Sequence, residues 1–242
     1  LDRNPEIGIC GLWPNDSPVN RPYSDLSHTD GYLKFWNQAA EELAKSFPAR
    51  KVCGLAYMEL TPPPESTAAA QNFHLWFCRH DDNYMYPLSH DKNRRYLDLL
   101  NGWTMKLPPE QIACFHYYGW MPPLIPFTAN MRSDLMLYRE LKLGGVYGWS
   151  GFTYNILGSN YRWARDLYVL PKLLWDPGQE TGPLEEEWAQ CVFGAASPEI
   201  MEFYAMLKEA HRRECLKGLL PRESWISLDL LHELQGVLAG AA

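Results

Sequence analysis

The sequence predicts an α/β fold on parallel strands: a partial or complete (β/α)8 TIM-type barrel followed by C-terminal helices. Five short apolar runs, at residues 7–12, 52–58, 73–78, 112–115 and 146–149, have the length and composition of buried strands rather than helices. Stretches of helical period separate them, as parallel βαβ units require, with right-handed crossovers expected. Each run also ends in polar or aromatic residues, and parallel α/β folds build their sites at the C-terminal ends of strands.

The run ending in His116 shows the design most plainly. Ile112 to Phe115 leads into His116, Tyr117, Tyr118 and Trp120, and Pro122 and Pro123 forbid its continuation. The other runs deliver Trp13 and Asp16, Glu59, His80 and Asp81, and Trp149 with Ser150. After the first strand, a polar loop over residues 14–29 is long enough to build a site. Thr29 or Asp30 is the expected cap of a helix with Tyr32, Trp36, Ala39, Ala40, Leu43 and Phe47 on one stripe, closed by Pro48. The crossover after Pro62-Pro63-Pro64 leaves room only for a short helix at residues 66–71. A helix over residues 91–105 presents Tyr96, Leu99, Leu100 and Trp103, and another uses Met131, Leu135, Tyr138 and Leu141 before Gly144-Gly145 breaks it.

From residue 160 the pattern is helical throughout. Trp163, Leu167, Leu170 and Leu174 form a stripe that Pro171 should kink or break. Residues 184–193 and 198–213 read as an antiparallel pair, and 229–238 as a last amphipathic helix. The expected organisation is therefore a barrel portion of about five β/α units at residues 1–159 and a helical region at residues 160–242 packed on it.

Composition narrows the function. The 242 residues carry a net charge of −7 with no basic block, which argues against nucleic acid or an anionic membrane as partner. No stretch reaches the ~18 consecutive apolar residues of a membrane span. Aromatic residues make up 14%, including 10 Trp and 14 Tyr; such rings serve sugar stacking and large cores alike. Cys10, Cys53, Cys78 and Cys114 fall in four different strands, and none of the six cysteines shows zinc-ligand spacing, so they read as small core residues. No signal peptide precedes Leu1; the expected location is periplasmic or extracellular.

The chemistry that fits is glycosidic hydrolysis, which needs an acid and a base or nucleophile about 5 to 10 Å apart. Asp16, Asp81 and Glu59 qualify by position, with Asp16 and Asp81 as the pair and Glu59 in reserve. His80, His116, Tyr57 and Tyr118 are candidates to hold substrate hydroxyls, although only one of Tyr117 and Tyr118 can face the pocket. Trp13, Trp120 and Trp149 offer faces for stacking. There is no phosphate-binding glycine loop and no Gly-x-Ser-x-Gly elbow. No cofactor or metal is expected. A barrel site from Asp16, His80, Asp81 and His116 is conceivable, but no paired-His motif supports it.

Several segments resemble the bacterial DUF4838 family. They are Leu55-Ala56-Tyr57 with Pro62-Pro63, Cys78 with Pro87-Leu88, Leu99 to Trp103, Gly145-Val146-Tyr147-Gly148, Leu173-Leu174-Trp175-Asp176-Pro177 and Phe193-Gly194-Ala195-Ala196. The resemblance covers about residues 5–210, and Leu-Leu-Trp-Asp-Pro is its most specific piece. This family is itself similar to barrel glycoside hydrolases, near the α-glucuronidases and hexosaminidases. What the resemblance implies is a (β/α)8 barrel whose first strands lie upstream of Leu1, with Asp16 matching an Asn-Asp motif and Asp81 a carboxylate after Cys78. Trp149-Ser150 stands where the resemblance implies a carboxylate, and a Cys-rich motif after the Asn-Asp segment is missing. The expected function is a carbohydrate-active, glycoside hydrolase-like enzyme with a saccharide substrate. Its rivals are a non-catalytic saccharide-binding barrel and a metal-dependent barrel hydrolase.

Overall fold

A computed structural model describes residues 4, 6–14, 26–80, 82–117, 127–148, 164–216 and 226–240. The chain divides into two compact units, one of Leu1–Asp82, Arg94–His116 and Tyr138–Gly148, the other of Asn83–Asn93, Tyr117–Leu137 and Trp149–Ala242.

The first unit holds a curled sheet of five parallel strands in sequential order, one arc of a barrel: β1 (Ile9–Gly11), β2 (Lys51–Ala56), β3 (Phe73–Cys78), β4 (Ile112–His116) and β5 (Gly145–Gly148). Helix α1 (His28–Ser46) follows β1, and α2 (Arg94–Thr104) lies between β3 and β4. Register decides which side chains face the helices. Val52 pairs with Phe73 and Leu75 with Ile112, and Phe73 stacks on Trp36 of α1 at 5.5 Å while Phe77 meets Tyr96 of α2. Gly54 lies on this outer face because any Cβ there would come within 2.7 Å of the Trp36 ring. The opposite, inner face carries Ile9 and Gly11, Cys53 and Leu55, His74, Trp76 and Cys78, Ala113 and Phe115, and Tyr147.

The expected strands are all present, but three local readings need correction. Ser27, not Thr29 or Asp30, caps α1: its hydroxyl accepts from the Asp30 N–H at 3.1 Å and donates to the Asp30 carboxylate at 2.6 Å. Residues 66–71 are not helical. The buried Asp30 carboxylate takes the N–H groups of Glu65, Ser66 and Thr67, at 2.9, 2.9 and 2.5 Å, and ties that crossover to the start of α1. The α1 stripe also buries Leu33 completely, a position the spacing left out.

In the second unit, α3 (Thr128–Glu140), whose last turn from Tyr138 belongs to the first unit, precedes α4 (Ala164–Trp175), α5 (Thr181–Phe193), α6 (Ser197–Leu216) and α7 (Leu228–Gly240). Pro171 does not break α4: it is exposed, so the carbonyl it leaves without a donor can be hydrated. The expected α4 stripe is also displaced. Leu174 is exposed and Trp163 lies outside the described residues, while Arg165, Asp166, Val169 and Leu173 are buried. The reason is a buried set of charges. Arg165 pairs with Asp166 at 3.0 Å and lies 4.1 Å over the Tyr204 ring, and Glu185 accepts from Thr128 and from Lys208 at 3.0 Å. Around it, Trp188, Ala189 and Ile200 form a core with Tyr168, Met201 and Tyr204.

Burial pushes Asp166 up to about 6, with Arg165 opposing and Glu185 adding to the rise. A carboxylate whose folded value is raised favours folding most when protonated. Its contribution is full below the unfolded value and is lost as pH rises through about 6. In the same unit His211, held down to about 4 by burial, acts in the opposite sense on acidification. The clean readout is therefore a difference. Between pH 7.5 and 5 the unfolding free energy of the protein, relative to that of Asp166→Asn, should gain ~1.4 kcal/mol. Parallel pH dependences in urea denaturation would refute this.

Candidate functional site

The C-terminal ends of the strands lie in the first unit, and local chemistry fixes each. After β1 the Leu12 N–H donates to the Cys53 carbonyl at 2.9 Å, and the Leu12 carbonyl accepts from the Trp36 indole at 2.8 Å. That leaves Trp13 51% exposed, with its ring 5.2 Å from Trp76. After β2, Tyr57 leads into a single 3-10 turn, Met58–Leu60, which Met58 enters with φ of 50°. A non-glycine residue there costs about 1 kcal/mol or more, and such outliers cluster at functional sites. The turn buries Leu60 and presents Glu59 to solvent. It is pinned next to Thr61, whose carbonyl accepts from the Trp103 indole at 2.8 Å. After β3, the half-buried His80 meets Tyr57 edge-on at 4.7 Å.

Beneath these residues runs a buried polar chain. The guanidinium of Arg79, fully buried, donates to the Asp82 carboxylate through Nε and Nη2 and to the Tyr138 hydroxyl through Nη1 at 2.7 Å. The same hydroxyl lies 3.0 Å from His116 Nε2. Burial, and secondarily the charge of Arg79, holds His116 well below its ordinary value, so the imidazole is neutral at pH 7. The Tyr138 hydroxyl thus accepts from Arg79 and joins it to the His116 ring.

Of the sequence candidates, the structure brings Tyr57 and His80 together and exposes Glu59 and Trp13. His116 is fully buried on the helix-facing side of β4, where it supports Tyr138 and is not open to a ligand. Asp16, Asp81, Tyr118, Trp120 and Trp149 lie outside the described residues. Asp82, one position beyond Asp81, is committed to Arg79 and is not free to act as acid or base. Among the described residues no three His, Cys, Asp or Glu side chains cluster as metal ligands, and no helix is long and apolar enough to cross a membrane. Cys53, Cys78 and Cys114 are buried, the Cys53 thiol pushed up to about 12 by burial, as core cysteines should be.

Sequence reasoning missed two groups. One is the Arg79–Asp82–Tyr138 set, whose sole signal was an arginine directly after a buried strand. The other is an aromatic group on the inner face, where Trp76 stacks on Tyr147 at 4.8 Å with 18° between planes and Phe115 lies 4.8 Å from Tyr147. A period of two across β3, β4 and β5 carried that signal.

Residues 14–205 match a family model described as a domain of unknown function, DUF4838. No curated protein and no solved structure matches the chain.

Proposed function

The chain belongs to the DUF4838 family, and from that premise and the residues at its strand ends we propose a carbohydrate-active hydrolase that cleaves glycosidic bonds with a carboxylate pair. The observation that supports this reading is the set of groups at the C-terminal ends of β1 to β3: an exposed indole at Trp13, the Tyr57–His80 pair and the exposed carboxylate of Glu59. Stacking face, hydroxyl-binding edges and one of the two carboxyl groups that glycosidic hydrolysis needs are the parts of a sugar site. In this reading Asp16 and Asp81 are the acid and the base or nucleophile, and Glu59 is the reserve carboxylate. The finer fold belongs to the same proposal: the five-stranded arc is part of a (β/α)8 barrel closed by further β/α units.

The test is Asp81→Asn against a panel of aryl glycosides. Turnover should fall by a factor on the order of 10³ or more with the unfolding midpoint nearly unchanged. Unaltered turnover would remove Asp81 from the mechanism. A second reading, a saccharide-binding barrel without hydrolysis, is favoured by Trp149-Ser150 standing where a carboxylate is expected; it predicts binding with no turnover in the unaltered protein.

A further inference from the structure

The inner face of the sheet changes character along the strands. Toward their N-terminal ends it mixes small and aliphatic residues, Ile9, Cys53, Ala113 and Gly145, with Lys51 and His74, whereas toward the C-terminal ends it is aromatic. There Trp13, Trp76, Phe115 and Tyr147 make one chain of ring contacts, 5.2 Å from Trp13 to Trp76, 4.8 Å from Trp76 to Tyr147 and 4.8 Å from Phe115 to Tyr147. The two outer rings, Trp13 and Tyr147, are 51% and 44% exposed. A barrel interior that only had to be filled would be served by branched aliphatics. Flat rings at the end of the sheet where the site lies offer faces to a ligand with flat apolar faces of its own.

Charge decides which ligand. On the inner face of the described strands the charge-bearing positions are Lys51 and His74, both toward the N-terminal ends, and burial with the nearby Lys51 holds His74 below its ordinary value. The described cation next to the strand ends, Arg79, is fully buried and bonded to Asp82. The described carboxylate at the rim, Glu59, is exposed and would repel an anion. A sugar acid brought to these rings would therefore give up hydration for no counter-charge among the described residues.

Resting on the carbohydrate reading above, we infer that Trp13, Trp76, Phe115 and Tyr147 form a stacking floor for neutral pyranose chains of two or more units, gluco-configured sugars with axial C–H faces, and that uronic acids are not the substrate class.

The test is calorimetric titration of the full chain with neutral gluco-oligosaccharides of one to four units and with uronate oligomers of matched length. It is run on the unaltered protein and on Tyr147→Ala and Trp76→Phe, with sedimentation velocity on each. Affinity should rise about tenfold or more from one unit to two or three, uronates should bind at least about tenfold more weakly, and Tyr147→Ala should weaken neutral-chain binding by about tenfold. Trp76→Phe keeps a ring in place and should lose less, which guards against a variant that fails to fold. Uronates binding as tightly as neutral chains, or neutral binding indifferent to both substitutions, would overturn the inference while leaving hydrolysis dependent on Asp81 intact. Loss of a dimer in Tyr147→Ala with unchanged sugar binding would assign the face to a second copy and overturn it too. Tight neutral binding lost in Tyr147→Ala, with no glycoside hydrolysed, would uphold the floor and remove the hydrolase reading.

Discussion

Replacing Asp30 by alanine should destabilise the protein by on the order of 4 kcal/mol, because one carboxylate holds a helix start and a crossover at once. It accepts from Glu65, Ser66 and Thr67 N–H, from the Ser66 hydroxyl at 3.1 Å and from the Ser27 hydroxyl. Hydrogen bonds to a charged group are worth about 1.5–3 kcal/mol each. The crossover side chains at Glu65 and Ser66 are exposed, so part of that is recovered as their N–H groups are rehydrated, while the Ser27 hydroxyl keeps its cap to the residue 30 N–H and loses only its acceptor. Asn at this position keeps one acceptor oxygen and should lose about half as much. The group also predicts a pH dependence. Burial raises the Asp30 value, yet the Ser27 hydroxyl and the N–H groups of Glu65, Thr67 and Ser66 outweigh it and hold the carboxyl well below the usual range. A depressed folded value means stability that is present above the unfolded value, near pH 4, and lost as pH falls further. Urea denaturation of Asp30→Ala should therefore show a shallower decline below pH 4 than the unaltered protein. An equal decline would show that Asp30 is not the group responsible.

Arg79→Met is expected to cost about 3–5 kcal/mol, the usual penalty for leaving a buried carboxylate without its cation. Arg79 and Asp82 both have side chains with no solvent exposure. Replacing both at once, Arg79→Met with Asp82→Leu, should recover much of the loss, since a well-packed apolar pair is often as stable as a buried ion pair. A double-mutant cycle measures the coupling directly, and additive losses would dispose of the claim that the pair acts as a unit. Tyr138→Phe keeps the packing and removes the link between Arg79 and His116. It should cost about 1–3 kcal/mol, because it strips a buried partner from each of two groups. As this chain ties the end of β3 to β4, the proposed carbohydrate function predicts that the same variants weaken sugar binding through misplacement of His80 and Tyr57.

The strands were legible because burial writes itself as apolar runs: residues 73–78 and 112–115 match β3 and β4 within a residue. The short helix expected at 66–71 failed because one carboxylate thirty-five residues away captures the backbone donors, an interaction local pattern does not contain. The α4 stripe failed for a related reason. Arg165 and Asp166 look like surface residues by type, and only partners on neighbouring helices make their burial tolerable. The strand-end positions of Tyr57, His80 and Glu59 were legible because they follow from where the apolar runs stop, while Arg79, Asp82 and Tyr138 needed a contact across 59 residues to be seen as one network.

By itself the sequence determined the five parallel strands, their order along the chain, the helical character after residue 160 and the family. Each rests on periodicity, turn chemistry or motif, which act over a few residues. Tertiary structure alone decided which face of each strand meets the helices, that His116 is a buried support and not an exposed contact, and that four rings from β3, β4, β5 and the end of β1 form one aromatic surface. Register and burial are set by the pairing of segments distant in sequence, and a period of two says that a strand has two faces without saying which of them will meet the helices.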